Sequence, residues 1–194
     1  VSGPVGIHDH AIENLRYIRE TMERAGSFTG VPGWGGAAMG VLALAAAVVA
    51  GMQPTRERWL LVWLGSAVLA FVAGAAGMYL KTRRRSESVL SPAGRKFALG
   101  FAPPVLAGAA LTAALAAAGQ YDMLPGLWLL LYGAAVTTGG AFSQRIVPVT
   151  GAVFMLFGVA ALLAPAAWHN LLLAGGFGLV HVVSGLVIAR RYGG

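Results

Sequence analysis

The side chains best able to do chemistry in this chain are its four histidines. His181 lies near the middle of an apolar stretch, with Gly178, Ser184 and Gly185 on the same helical face. An ionisable group at that depth in a membrane marks a haem ligand, a proton relay or a ligand contact. Relays chain Asp, Glu and His, and no apolar stretch of this chain contains a carboxylate. The plainer reading is a neutral ring bonded to a threonine, a tyrosine or a backbone carbonyl. His181 is therefore kept as a candidate cofactor contact, and no cofactor is expected.

His169 sits twelve residues earlier, near the other end of the same stretch. A haem takes axial ligands from opposite faces. Two histidines of one straight helix cannot supply them, so a bis-histidine haem would need two copies of the chain. His8, Asp9 and His10, with Glu13, form a candidate metal cluster. Histidine and carboxylate are suitable ligands, but the spacing matches no specific zinc motif. His8 and His10 are the metal candidates, and Asp9 serves equally as a helix cap.

Catalysis is not expected. Beyond the leading segment the only acids are Glu57, Glu87 and Asp122, all between apolar stretches. A catalytic set needs a base within reach of a nucleophile or metal. No Gly-x-Ser-x-Gly, His-Glu-x-x-His or phosphate-cradling glycine loop occurs. The chain has no cysteine, which excludes thiol chemistry and disulfides.

These residues must be positioned by membrane helices. Of 194 residues, 57% are hydrophobic and 11% charged, against about 25% charged in soluble domains. Mean hydropathy is +0.71. Six apolar stretches run Gly35–Gly51, Trp59–Leu80, Phe97–Ala118, Met123–Phe142, Ile146–Ala164 and Leu171–Ala189. Each approaches the roughly 20 residues that cross a bilayer core. The expected fold is all-α: a six-helix membrane domain over 35–194, preceded by an amphipathic helix and linker over 1–34.

Charge gives the orientation. Twelve of the fourteen Lys and Arg fall on the side of the N-terminus, and only Arg56 and Arg58 fall opposite. Positive residues stay inside, so both termini are expected in the cytoplasm. The same split accounts for the net charge of +7 without nucleic acid. Lys81, Arg83, Arg84 and Arg85 read as anchors that contact lipid heads or a partner. Arg145 reads as an anchor that snorkels to the interface.

Small residues recur at helical spacing, including Gly36 and Gly40, then Gly133, Thr137 and Gly140, then Gly178 and Gly185. Such stripes let helix backbones approach. An alternative gives Thr137, Thr138 and His181 to the lining of a solute route. A loose repeat suggests three hairpins. The odd helices open with proline (Pro32, Pro104, Pro148), and the even ones with tryptophan (Trp59, Trp128, Trp168).

Asp9 to Ala25 reads as an amphipathic helix, with Ile12, Leu15, Ile18, Met22 and Ala25 on one face. Its acids outnumber its arginines, unlike helices that bind anionic lipid. It is expected to dock near the basic connection Lys81–Lys96 or against a partner.

Asn14-Leu15-Arg16, Ile18 to Ala25 and Val31 to Gly36 resemble the opening of a group of uncharacterised bacterial inner-membrane proteins. The hairpin pattern is loosely similar to HdeD-like membrane proteins. The first resemblance implies a bacterial inner membrane and no chemistry. The expected role is a scaffold, regulator or accessory subunit, with a small-solute channel or transporter as alternative. A haem, quinone or pigment carrier is a further alternative. The expected partners are lipid and either a second copy or another membrane protein.

Overall fold

The computed structural model of the chain describes residues 12–18, 28–84 and 88–193. His8, His10 and Arg85 lie outside the described residues, as does most of the expected leading helix.

Six helices are long and apolar enough to cross a membrane. They are α1 (Gly33–Gly51), α2 (Arg56–Arg84), α3 (Pro92–Ala117), α4 (Leu124–Gly140), α5 (Ile146–Leu163) and α6 (Ala166–Tyr192). The basic ends of α2 and α3 run past the apolar stretches expected for them. Ser91 explains the start of α3. Its hydroxyl accepts from the Gly94 N–H at 3.1 Å, and Pro92 occupies the first turn, where its missing N–H is not needed. Gly119, at φ 71°, turns the chain out of α3, a conformation that glycine adopts without steric cost.

The helices form a curved row in the order α2, α1, α6, α5, α4, α3. Its two tightest seams are α1 on α6 and α4 on α5, and both are built on glycine. A Cβ on Gly133 would lie 2.6 Å from the Gly151 carbonyl oxygen, and one on Gly40 would lie 2.6 Å from that of Gly178. Membrane helices associate through this close packing, because lipid gives them no hydrophobic drive. α2 leans on α1 and α3 on α4. Among the described residues α2 and α3 barely touch, so the row is open between its two ends.

The proposed repeat is weakened by the fold. Pro104 lies deep inside α3 rather than at its start. Nothing stands within 4 Å of a Cβ placed on Gly65, whereas the corresponding Gly133 is wedged against α5.

Residues 12–18 are helical and exposed throughout, Ile12, Leu15 and Ile18 included. The rest of the apolar face, Met22 and Ala25, lies outside the described residues. The segment that does pack is 28–32, expected as linker. The Phe28 N–H donates to the Phe142 carbonyl at 2.7 Å, and the Ser143 hydroxyl donates to the Phe28 carbonyl at 2.6 Å. Lys81 Nζ donates to the Val31 carbonyl at 2.9 Å. These bonds strap the chain across the end of the bundle that carries Tyr192.

Candidate functional site

α6 is not a regular helix. Its middle, Ala174–Val180, is π-helical and returns to α geometry at His181. Such wider turns concentrate at functional sites. The glycines of this stretch admit neighbouring side chains. Leu129 fills the space that a Cβ on Gly176 would need, and Phe157 presses on Gly175.

His181 is 8% exposed. Its Nδ1 lies 2.9 Å from the Phe177 carbonyl oxygen, and its Nε2 lies 2.8 Å from the Tyr132 hydroxyl. A carbonyl only accepts, so Nδ1 carries the hydrogen. Nε2 of the uncharged ring then accepts the tyrosine proton. Aromatic rings enclose the pair. The Tyr132 ring meets Phe154 edge-on at 5.0 Å, Phe177 at 5.3 Å and Phe101 at 5.9 Å. Edge-on contacts suit the ring quadrupoles.

The pair closes the inner end of a cavity of about 400 Å³. One wall is the face of α2 with Phe71, Gly74, Ala75 and Met78, and the opposite wall is α3 with Phe97, Ala98 and Phe101. α6 lines it from His181 through Ser184 and Gly185 to Ile188, about 10 Å at helical rise. Because α2 and α3 scarcely meet, the cavity opens sideways between them. Phe28 stops the end towards Tyr192, its ring 5.1 Å from that of Phe97. Arg95, exposed, stands at the rim.

The other candidates have structural surroundings. Gly36, Gly40, Gly178 and Gly185 lie in the α1–α6 seam, and Gly133 and Gly140 in the α4–α5 seam. Thr137 donates back to the Gly133 carbonyl at 2.8 Å and faces Gly151. Thr138 reaches the Gly100 carbonyl on α3 at 2.7 Å. Neither threonine is among the residues that line this cavity with His181. Arg83 and Arg84 are exposed at the end of α2, and Arg145 precedes α5, also exposed. Lys81 is 2% exposed and fastens the strap through the Val31 carbonyl.

A second polar centre, which the sequence reading missed, lies at the opposite end. Asn170 Oδ1 accepts the indole N–H groups of Trp59 at 3.3 Å and Trp63 at 3.2 Å. Its amide donates to the Ala47 carbonyl. Trp59 stacks on Trp128 at 5.6 Å, and the Trp128 indole donates to Thr112 at 2.8 Å. These tryptophans turn inward, while Trp34 and Trp168 stay exposed. A cavity of about 310 Å³ adjoins them, and Arg56 pairs with Asp122 beside His169. Tyr132 was also missed. A tyrosine placed mid-span was the available signal, since its hydroxyl must find a partner there.

The chain matches no known protein family, no curated protein and no solved structure. The loose likeness to HdeD-like proteins therefore has no support.

Proposed function

We propose that this six-span membrane protein is a non-enzymatic binder of an elongated, uncharged apolar molecule, which enters sideways from lipid between α2 and α3. One observation carries the reading: a cavity of about 400 Å³, apolar along its walls, ends on the Tyr132–His181 pair. Its volume falls within the roughly 300–1,000 Å³ of small-molecule sites. Apolar walls with a few placed polar groups are the usual make-up of such sites. No carboxylate lines it among the described residues, so His181 has no acidic relay partner there. This supports a carrier or sensor over a small-solute path, because Thr137 and Thr138 bond elsewhere. The charge split supports a cytoplasmic position for the end holding Lys81 and Tyr192.

The test is photolabelling of the purified chain, held in phosphatidylcholine nanodiscs, with a diazirine-bearing long-chain fatty alcohol. Label is expected on the α2 and α3 faces around Met78 and Phe97. Ala98→Trp, at an exposed position on the cavity wall, is expected to remove it. Label spread evenly over the lipid-facing surface, and indifferent to Ala98→Trp, would overturn the proposal. Tags on the C-terminus, probed from either side of intact cells, test the orientation.

A further inference from the structure

The hydrogen-bond census of the cavity narrows the class of ligand, and this step rests on the binding reading above. His181 has no free nitrogen: Nδ1 faces the Phe177 carbonyl and Nε2 faces the Tyr132 hydroxyl. With Nε2 accepting, Tyr132 has used its single proton. Ser184 has used its own on the Val180 carbonyl at 2.7 Å, and Thr150 on the Ile146 carbonyl at 2.8 Å. Tyr132, Thr150, His181 and Ser184 are all residues of the cavity lining. What each hydroxyl retains is lone pairs, since an oxygen of this kind has two acceptor positions besides its one donor.

Among the described residues, the few side-chain polar groups of the inner lining therefore retain acceptor positions rather than donors. Arg95, the strong donor of the lining, stands at the exposed rim. A ligand group that only accepts, such as a ketone, ester, ether or quinone carbonyl, would face lone pairs with lone pairs. A polar group buried without a partner is costly. A hydroxyl would give its proton to the Tyr132 oxygen and satisfy both. The protein cannot easily reverse this pattern. Turning the tyrosine proton towards a ligand would leave Nε2 of the neutral ring without a donor.

We infer that the cavity selects a neutral apolar alcohol, whose hydroxyl donates to the Tyr132 oxygen beside His181 while its hydrocarbon body lies between α2 and α3. The same argument disfavours an oxidised quinone and admits its reduced, hydroxyl-bearing form.

The experiment is competition in phosphatidylcholine nanodiscs. The diazirine-bearing fatty alcohol is the reporter. A fatty alcohol and its methyl ether, matched in chain, are the competitors. The alcohol is expected to displace the reporter at a concentration about three- to tenfold lower than the ether, the range that one net hydrogen bond supplies. In the double variant Tyr132→Phe/His181→Phe, which removes both the tyrosine oxygen and the Nε2 that Tyr132→Phe alone would bare as a new acceptor, the ratio is expected to fall to near one. Equal displacement by both in the unaltered chain would overturn the inference and leave the binding cavity standing. That comparison does not depend on the variant folding. No displacement by either, with reporter label confined to the outer surface, would overturn the binding reading and the inference with it.

Discussion

The ammonium group of Lys81 donates to the main-chain carbonyl of Val31 at 2.9 Å, although Lys81 is only 2% exposed. The lysine at the head of a basic run thus ties the strap 28–32 to α2, while its neighbours Arg83 and Arg84 remain exposed. Lys81→Met removes a charge-assisted bond and leaves a carbonyl unpaired. It is expected to lower stability by about 1–3 kcal/mol. Arg83→Met is expected to stay within about 0.5 kcal/mol. Thermal unfolding in mild detergent checks both, and equal effects would contradict the fastening role.

Tyr132 and His181 should behave as a coupled pair. Either Tyr132→Phe or His181→Phe alone breaks the bond between them, and the tyrosine change also leaves Nε2 unpaired. The double variant removes both partners together. Its destabilisation is expected to fall short of the sum of the singles by about 0.5–2 kcal/mol, by the usual size of coupling between contacting residues and the modest values met in membranes. Strict additivity in a double-mutant cycle would argue against the bond.

Glycines of equal appearance should respond oppositely to alanine. A Cβ on Gly133 meets the Gly151 carbonyl at 2.6 Å and the Met155 nitrogen at 2.8 Å. Gly133→Ala must spread α4 from α5, at about 1–3 kcal/mol. Gly65 has open space around it, and Gly65→Ala is expected to be neutral or to stabilise by up to about 1 kcal/mol. Denaturation midpoints of the two variants give the comparison.

Asn170 holds Trp59, Trp63 and the Ala47 carbonyl together. Asn170→Leu leaves two indole donors and one carbonyl without this partner, each costing about 1–3 kcal/mol where water cannot replace it. A loss of stability and a change in tryptophan emission are expected. An unchanged emission spectrum would show that the indoles do not depend on this amide.

Much of the architecture was legible from residues alone because hydropathy and helical period are local properties. Six stretches of the right length announced six spans, and glycines at intervals of three and four announced tight seams. Helix ends were less legible, since Arg, Lys and the Ser91 cap carry α2 and α3 past their apolar parts. Tryptophan favours membrane interfaces, but at the opening of α2 the Trp59 indole turns to an inward partner, Asn170, which its position in the sequence does not reveal.

The sequence by itself determined the solvent of this protein, the number of its spans and the asymmetry of its charge. Only the tertiary structure decided which faces meet. Tyr132 and His181 are 49 positions apart, and Asn170 reaches a carbonyl 123 positions away. No periodicity encodes such pairings. They follow from the order in which the glycine seams bring the helices together, and the same order leaves α2 and α3 apart with a cavity between them.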